Sequence, residues 1–416
     1  MTVKKIRLLL SLFLLFLLVG CYDKIELEQQ SYAVALGVDQ TDEKGVYRFT
    51  FQITNPEVGY SAGGGSADEP PNETVTTTGS DILTAMSTVN SFVSKRMTLD
   101  HTKVIVISEE LARSGDFIQI IQSASRTTQI RRAVQIVVSK EKAADFLNNI
   151  KPKMEARTHK YFQYMITRAK QTGIIPDADI HRFFQITEGD ADLFLAIYAT
   201  NEKSEPKEDG NEDEFIAGEI PHEGGSETQF MGSAVFKEGK MIDVLDGQAT
   251  RLSHVLDYTL DMDELLSTYP DPIKHEYRIS ADYIQKTAAE VKIDYQKNKK
   301  TKIDVTVPFQ IEVLAIPSLV DYAQNIEYQE MLKQSIEEDL EKKADDLIKK
   351  TQEEYSSEPF YWSLFIRNEF KDVPAYEEAD WNKKIYPNAD ITINFDLERL
   401  GFGKMLNDTN LSEVRD

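Results

Sequence analysis

The chain has 416 residues, 41% of them hydrophobic and 28% charged, a formal net charge of −23 and a single cysteine. An intramolecular disulfide is excluded, so stability must come from burial and hydrogen bonding. So negative a chain argues against a nucleic-acid partner and against a broad electrostatic hold on anionic lipid.

Lys4, Lys5 and Arg7 form a positive leader, Leu8 to Leu18 is an almost unbroken apolar run, and Leu18-Val19-Gly20-Cys21 follows. This is the pattern of a secretory signal ending in a lipobox. The apolar run is short for a membrane-spanning helix, which needs about 20 residues. The alternative is an uncleaved signal anchor with an incidental cysteine. Cleavage before Cys21 would remove residues 1–20 and leave the chain three charges more negative. The Cys21 thiol is then the lipidation site, carrying diacylglycerol and an N-acyl chain (palmitate in the simplest case). The body would be held on the extracytoplasmic face of a membrane.

Residues 21–30 read as a polar, Glu-rich tether. Ser31–Asp39 and Tyr47–Ile53 read as a hairpin, the second strand alternating with Tyr47, Phe49, Phe51 and Ile53 on one face. Pro56–Asn72, with Gly63-Gly64-Gly65-Ser66 and Pro70-Pro71, reads as a loop. It lacks the Gly-Lys-Ser/Thr of a phosphate cradle. Strand and helix then alternate: a strand at Thr74–Thr78, a helix capped by Ser80 with Leu83, Met86 and Val89 at helical spacing, and a strand at Lys103–Ile107. A helix at Phe117–Ser123, a strand at Val134–Val138 and a helix at Ala143–Asn149 follow. Two further helices, His159–Lys170 and Asp179–Thr187, lead to a strand at Asp192–Ala199.

Glu202–Glu214 holds seven acids and two lysines, and the polar stretch 201–227 is the strongest candidate linker. Beyond it, Phe230–Phe236 and Lys240–Val244 make a hairpin around Glu238-Gly239, and Gly247–Tyr258 a helix. Three alternating strands follow. Pro308 in the third cannot donate a ladder hydrogen bond, which requires an edge or a bulge there. A long helix over Ile326–Lys350 has Met331, Leu332, Ile336, Leu340, Ala344 and Leu347 as its apolar stripe. A shorter helix at Tyr361–Phe370 and a strand with Ile391, Ile393, Phe395 and Leu397 on one side complete the chain. The fold class is multi-domain mixed α/β and α+β: an N-terminal α/β half, and a C-terminal antiparallel sheet with a long packed helix. The expected organisation is a signal peptide (1–20), tether (21–30), mixed α/β domain (31–200), acidic linker (201–227), hairpin-helix unit that could stand as a middle domain (228–260), α+β domain (261–405) and tail (406–416).

The chemistry-bearing residues do not assemble into a catalytic motif. The six histidines, His101, His159, His181, His222, His254 and His275, lack metal-ligand spacing, and there is no Gly-x-Ser-x-Gly elbow. Acylation of the one thiol removes thiol catalysis. His101 beside Asp100 reads as a strand cap. Carboxylates are too numerous for counting alone to exclude a glycosidase pair. Tyr361-Trp362 and Trp381 with Tyr386 read as core aromatics, with a ligand-facing role as the alternative. No metal, cofactor or catalytic residue is expected. Between Arg126 and Lys170 eleven basic residues face three acids. This is either a solvated face or a face turned to phospholipid headgroups or an acidic partner, with Arg131, Arg132, Lys151 and Lys153 as the candidate patch.

Several segments, in order, resemble the Ger(x)C family of spore germination lipoproteins, the C subunits of nutrient germinant receptors. They are Cys21-Tyr22-Asp23-Lys24-Ile25-Glu26 (the family more often has Trp after Cys), Ala33-Val34-Ala35-Leu36-Gly37-Val38-Asp39, His101 to Ala112, Gly232 to Met241, and Asp380-Trp381-Asn382 with Tyr386-Pro387 through Leu400-Gly401. Prolines expected near Asp192–Thr200 are replaced by Phe194-Leu195-Ala196-Ile197-Tyr198. The resemblance implies a non-enzymatic subunit on the outer surface of the spore inner membrane. Its partners would be integral-membrane A-type and permease-like B-type subunits. The competing readings are a solute-binding lipoprotein feeding a transporter, disfavoured because that class has two α/β lobes, and a cell-wall hydrolase, for which no site emerges.

Overall fold

The computed structural model describes residues 29–403, apart from 55–71, 152–154, 156, 190–192, 206–209, 258–261, 263–264 and 298. The signal peptide, Cys21, tether residues 22–28, the loop from Gly63 to Pro71, Lys153 and the 406–416 tail lie outside the described residues.

Strand β1 (Gln30–Gln40) runs through the middle of a nine-stranded sheet. It is flanked on one side by β2 (Tyr47–Thr54) and β3 (Asn72–Gly79) and on the other by β4 (Arg96–Thr98) and β5 (Val104–Ser108). The sheet continues through β6 (Gln135–Ser139), β7 (Phe194–Thr200), β8 (Gln229–Lys237) and β9 (Lys240–Leu245). β1, β5, β6 and β7 are mutually parallel. Parallel neighbours need crossovers, here supplied by helices. These are α1 (Ile82–Val89), α2 (Glu109–Ser114), α3 (Phe117–Arg126), α4 (Ala143–Asn149), α5 (Thr158–Gln171) and α6 (Ile180–Thr187).

Cover on both faces buries β5 and β7 along their whole length, all five residues of one and all seven of the other. The same cover explains why β2 buries Thr50 and Gln52 as well as its aromatic face. Gln52 Nε2 donates to the Leu147 carbonyl of α4 at 3.2 Å. Two residues of β1 seat that helix. A Cβ on Gly37 would meet Leu147 Cδ1 at 3.0 Å and Ala143 Cβ at 3.2 Å, so the strand approaches α4 closely only because the position is glycine. Asp39 accepts from the backbone amides of Ala143 at 2.7 Å and Ala144 at 3.0 Å, capping α4 from across the sheet. Helix α1 is capped by Asp81 rather than Ser80, in a reciprocal capping box with Thr84. Its buried stripe is Ile82, Ala85 and Val89, and Leu83 is exposed.

The second sheet is antiparallel over β10 (Leu265–Pro270), β11 (Arg278–Ile284), β12 (Glu290–Asp294) and β13 (Lys302–Ala315). β14 (Asp390–Gly401) joins β13 in parallel, because the chain returns to it across α8 (Ile326–Lys350). β11 and β12 share one side of β13. Pro308 falls between their pairings, which stop at Thr306 and resume at Gln310, beside a register shift at Phe309/Gln310 against β14. β13 is therefore central, and the missing donor sits at an irregularity. Leu332, Ile336, Leu340, Ala344 and Leu347 of α8 are buried, whereas Met331 is exposed. Two glutamates of α8 also guard the outer edge of β14: Glu337 accepts from the Leu397 amide at 2.9 Å and Glu341 from the Phe395 amide at 3.2 Å. An edge whose amides are already bonded is a poor template for another chain.

Residues of the 201–227 stretch, expected as a linker, and the hairpin of the 228–260 unit, expected as a possible middle domain, pack with the first sheet. β8 pairs with β7 over Phe194–Thr200, extending the N-terminal sheet. The turn between β8 and β9 has Glu238 and Gly239 at φ 50° and 76°, the left-handed geometry of a tight hairpin. Phe215 and Ala217 enter the core beneath the first sheet. Successive strand residues point to opposite faces, so this edge serves two cores. Phe194, Ala196, Ala234 and Phe236 join the first, while Leu193, Leu195, Val235 and Leu245 join the second with β13 and α8. α7 (Gly247–Leu256) lies in the same junction.

Candidate functional site

Two features connect this fold to its surroundings: the end of the first sheet where the chain enters, and the polar seam joining its halves.

The parallel strands begin together. β4 pairs with Gln30–Tyr32 at the start of β1, and the Lys103 amide donates to Val34 O at 2.8 Å. The Gln135 amide donates in turn to Lys103 O at 3.0 Å, which aligns the starts of β5 and β6. The loop before β6 carries Arg131 and Arg132, and Gln129 in the same loop accepts from the Leu99 amide at 3.1 Å. Helix α4 runs back from Asp39 past Gln52, delivering Lys151 to this end. Asn72 at the start of β3 donates to Thr158 Oγ1 at 2.6 Å, which brings the start of α5 alongside. Arg131, Arg132 and Lys151 are exposed, and three of the four candidate patch residues thus share one end of the sheet; Lys153 lies outside the described residues. Lys103, Arg126 and Lys160 complete the cluster. The His159 pKa is lowered by burial first and then by Arg157, Lys160 and Lys103, which marks the positive field. Glu155 is taken up by Arg157 in a two-pronged ion pair at 2.8 and 3.0 Å.

At the seam, Arg182 of α6 donates through Nε to Tyr361 Oη at 3.2 Å and pairs with buried Asp257 at 3.3 Å. Burial opposes its charge, but Tyr361 and Asp257 outweigh that and raise its pKa. Glu358, wholly buried, accepts from the Phe360 and Ser363 amides, and its carbonyl accepts from the Leu193 amide. Arg251 of α7 bonds Asp213 at 2.8 Å and Thr172 O at 2.8 Å. The acids of the 201–227 stretch are in this way partly structural. An open cavity of about 400 Å³ lies between β9, α7 and α8, but its lysines are committed: Lys343 to Asp339 and Lys350 to Asp243.

The remaining expected residues are structural. Trp362 and Tyr386 are fully buried and Trp381 nearly so. Trp362 Nε1 donates to Leu256 O at 3.0 Å, and Tyr386 bonds Thr351. His101 packs edge-on against Tyr32. Among the described residues no group of three or more His, Cys, Asp or Glu is arranged to hold a metal, and no helix is long and apolar enough to cross a membrane.

His254 of α7 is buried beside the seam. Burial foremost, with Arg182 nearby, pushes its pKa from 6.5 down to about 3. The folded state therefore resists a proton that the unfolded chain accepts below pH 6.5. The contribution is intact above that value and is lost as pH falls toward 3, at up to about 1.4 kcal/mol per pH unit. Urea midpoints measured between pH 7 and 4 should fall on acidification, and His254→Gln should flatten that dependence. An equal slope in the variant would remove His254 as its source.

Comparison with known proteins bears on this architecture. Residues 23–200 match the family model described as the spore germination protein N-terminal domain, and residues 231–403 match the model described as spore germination B3/GerAC like, C-terminal. The chain belongs to the Ger(x)C family of spore germination proteins. It is 24% identical to spore germination protein B3 of Bacillus subtilis (strain 168) over 395 residues, covering 94% of this chain and 96% of that one. It is 32% identical to spore germination protein KC of the same organism over 146 residues, about a third of each chain (34% and 36%). The crystal structure of the GerBC protein covers 90% of this chain and 100% of its own with a TM-score of 0.51 at 18% identity, a likeness of fold. Ger(x)C proteins are the C-subunit family of spore germinant receptors, not a known enzyme family, and a role in germination follows. The two Ger(x)C matches meet across 201–230, where the first sheet runs without interruption from β7 into β8. Within the Ger(x)C-like segment Ala33–Asp39, Gly37 and Asp39 serve to dock α4 on β1.

Proposed function

We propose that this Ger(x)C protein is a non-enzymatic, lipid-anchored subunit of a spore nutrient germinant receptor. It acts by contact with the integral-membrane A-type and permease-like B-type subunits, from the outer surface of the spore inner membrane. The observation that carries the reading is the family match running almost end to end and beginning at residue 23, two residues beyond the lipobox Cys21. Acylation of Cys21 confines the body to the membrane and raises its effective concentration near its partners. The polar groups of the seam support this role: Arg182, Asp257, Tyr361, Arg251 and Asp213 are engaged in bonds between elements, which suits a protein that works through shape and position.

Deleting the gene is expected to abolish germination in response to one nutrient class while non-nutrient triggers stay effective. Normal nutrient germination in a deletion strain with no redundant receptor would refute the assignment.

A further inference from the structure

We infer that the tether end of the first sheet is a phosphate-binding rim that seats the body on anionic lipid headgroups. The inference deepens the proposed anchoring but rests on separate residues.

Lys103, Arg126, Arg131, Arg132, Lys151 and Lys160 come from five separate segments of chain, and the topology gathers them at the start of β1. Among the described residues none of the six side chains is in an ion pair. The cations of the seam are committed, Arg182 to Asp257, Arg251 to Asp213 and Lys350 to Asp243. The acids at this end are Glu73, Asp100, Glu155, Asp177 and Asp179; Glu155 is held by Arg157, Asp177 by Lys170 at 2.7 Å, Asp179 caps α6 through the Arg182 amide, and Asp100 accepts from Thr98 Oγ1 at 2.7 Å. A net positive end on a chain of charge −23 is a strong segregation.

The position of the rim selects the occupant. β1 begins at Gln30, nine residues after Cys21, and an extended chain covers at most about 3.5 Å per residue. An acyl group on Cys21 therefore keeps this end within about 30 Å of the bilayer at full stretch, and allows contact. Anionic headgroups attract such cations over roughly a Debye length, about 8 Å at physiological salt. The rim fixes which way the body faces, and the acidic surface of α8 is left clear of the bilayer.

The test uses the chain from residue 21 onward with Cys21→Ser, so that no acyl group contributes, mixed with phosphatidylcholine vesicles with and without phosphatidylglycerol. Co-flotation is expected only with the anionic vesicles and should fade as salt is raised. The triple change Arg131→Glu, Arg132→Glu, Lys151→Glu should cut binding by about a hundredfold or more, from roughly fivefold per residue. The same charge change at exposed Lys342, Lys349 and Lys371 is the control and should leave binding intact. Matching thermal melts establish that both variants fold. Equal losses in the two triple variants, or wild-type binding without preference for phosphatidylglycerol, would overturn the rim. Rim reversal that spares vesicle binding but disrupts co-purification with the membrane subunits would assign the surface to an acidic protein partner instead. Mass spectrometry of the native N-terminus reports acylation independently, so failure of the anchor and failure of the rim are separable.

Discussion

Cys21→Ala should move the protein from the membrane to the aqueous fraction. A single myristoyl-sized chain gives only marginal binding, whereas two or more acyl chains hold a protein stably, so the loss should be near complete in a salt-washed preparation. The salt wash matters because any hold through Arg131, Arg132 and Lys151 is electrostatic and is removed with it. The substitution lies nine residues ahead of β1 and removes none of the contacts described above, so the thermal melt should be unchanged. The nutrient response should be lost with membrane attachment. Full retention of the variant after the wash would mean that another anchor exists.

Trp362→Ala should be the most damaging change in the body. The indole is wholly buried, lies 4.7 Å from Phe360 and 6.5 Å from Tyr386 between ring centroids, and donates to Leu256 O at the end of α7. Truncation empties a large volume that packed surroundings refill only in part, at a cost of about 3–5 kcal/mol, a large share of the stability of an ordinary domain. Trp362→Phe keeps most of the volume and mainly strands the Leu256 carbonyl, for about 1–3 kcal/mol. Urea midpoints should rank wild type above Trp362→Phe above Trp362→Ala. A Phe variant as unstable as the Ala variant would assign the loss to the hydrogen bond rather than to packing.

Most of the elements are legible in the sequence because their apolar periods are clean: β2, β13 and α8 appear where alternation or helical spacing predicts them. What escaped has local causes. β10 ends at Pro270 and has exposed Leu266 beside buried Leu265 with half-buried Ser267 and Thr268 after it, so no clean alternation marks it. Residues 351–355 and 381–385 form π-helical turns, whose spacing matches neither a strand nor an ordinary helix. The acidic run at 202–214 resembles a linker in composition, yet Asp213 and Phe215 are anchors whose partners lie far along the chain. The basic rim is half visible in the sequence. Arg131, Arg132 and Lys151 stand out by local charge, whereas Lys103 joins them only once the parallel order of β1, β5 and β6 is known. The cap of α4 by Asp39 is equally non-local, 104 residues apart.

The central position of β1 has a mechanical consequence. Anything attached ahead of Gln30 pulls along the axis of a strand bonded on both sides, to β2 on one and to β4 and β5 on the other. Such a load is shared in shear by a whole row of bonds, which must yield together instead of peeling one by one. Had the entry strand been at a border, a tug from a swelling bilayer could have unzipped it; here the same tug is spread into the body.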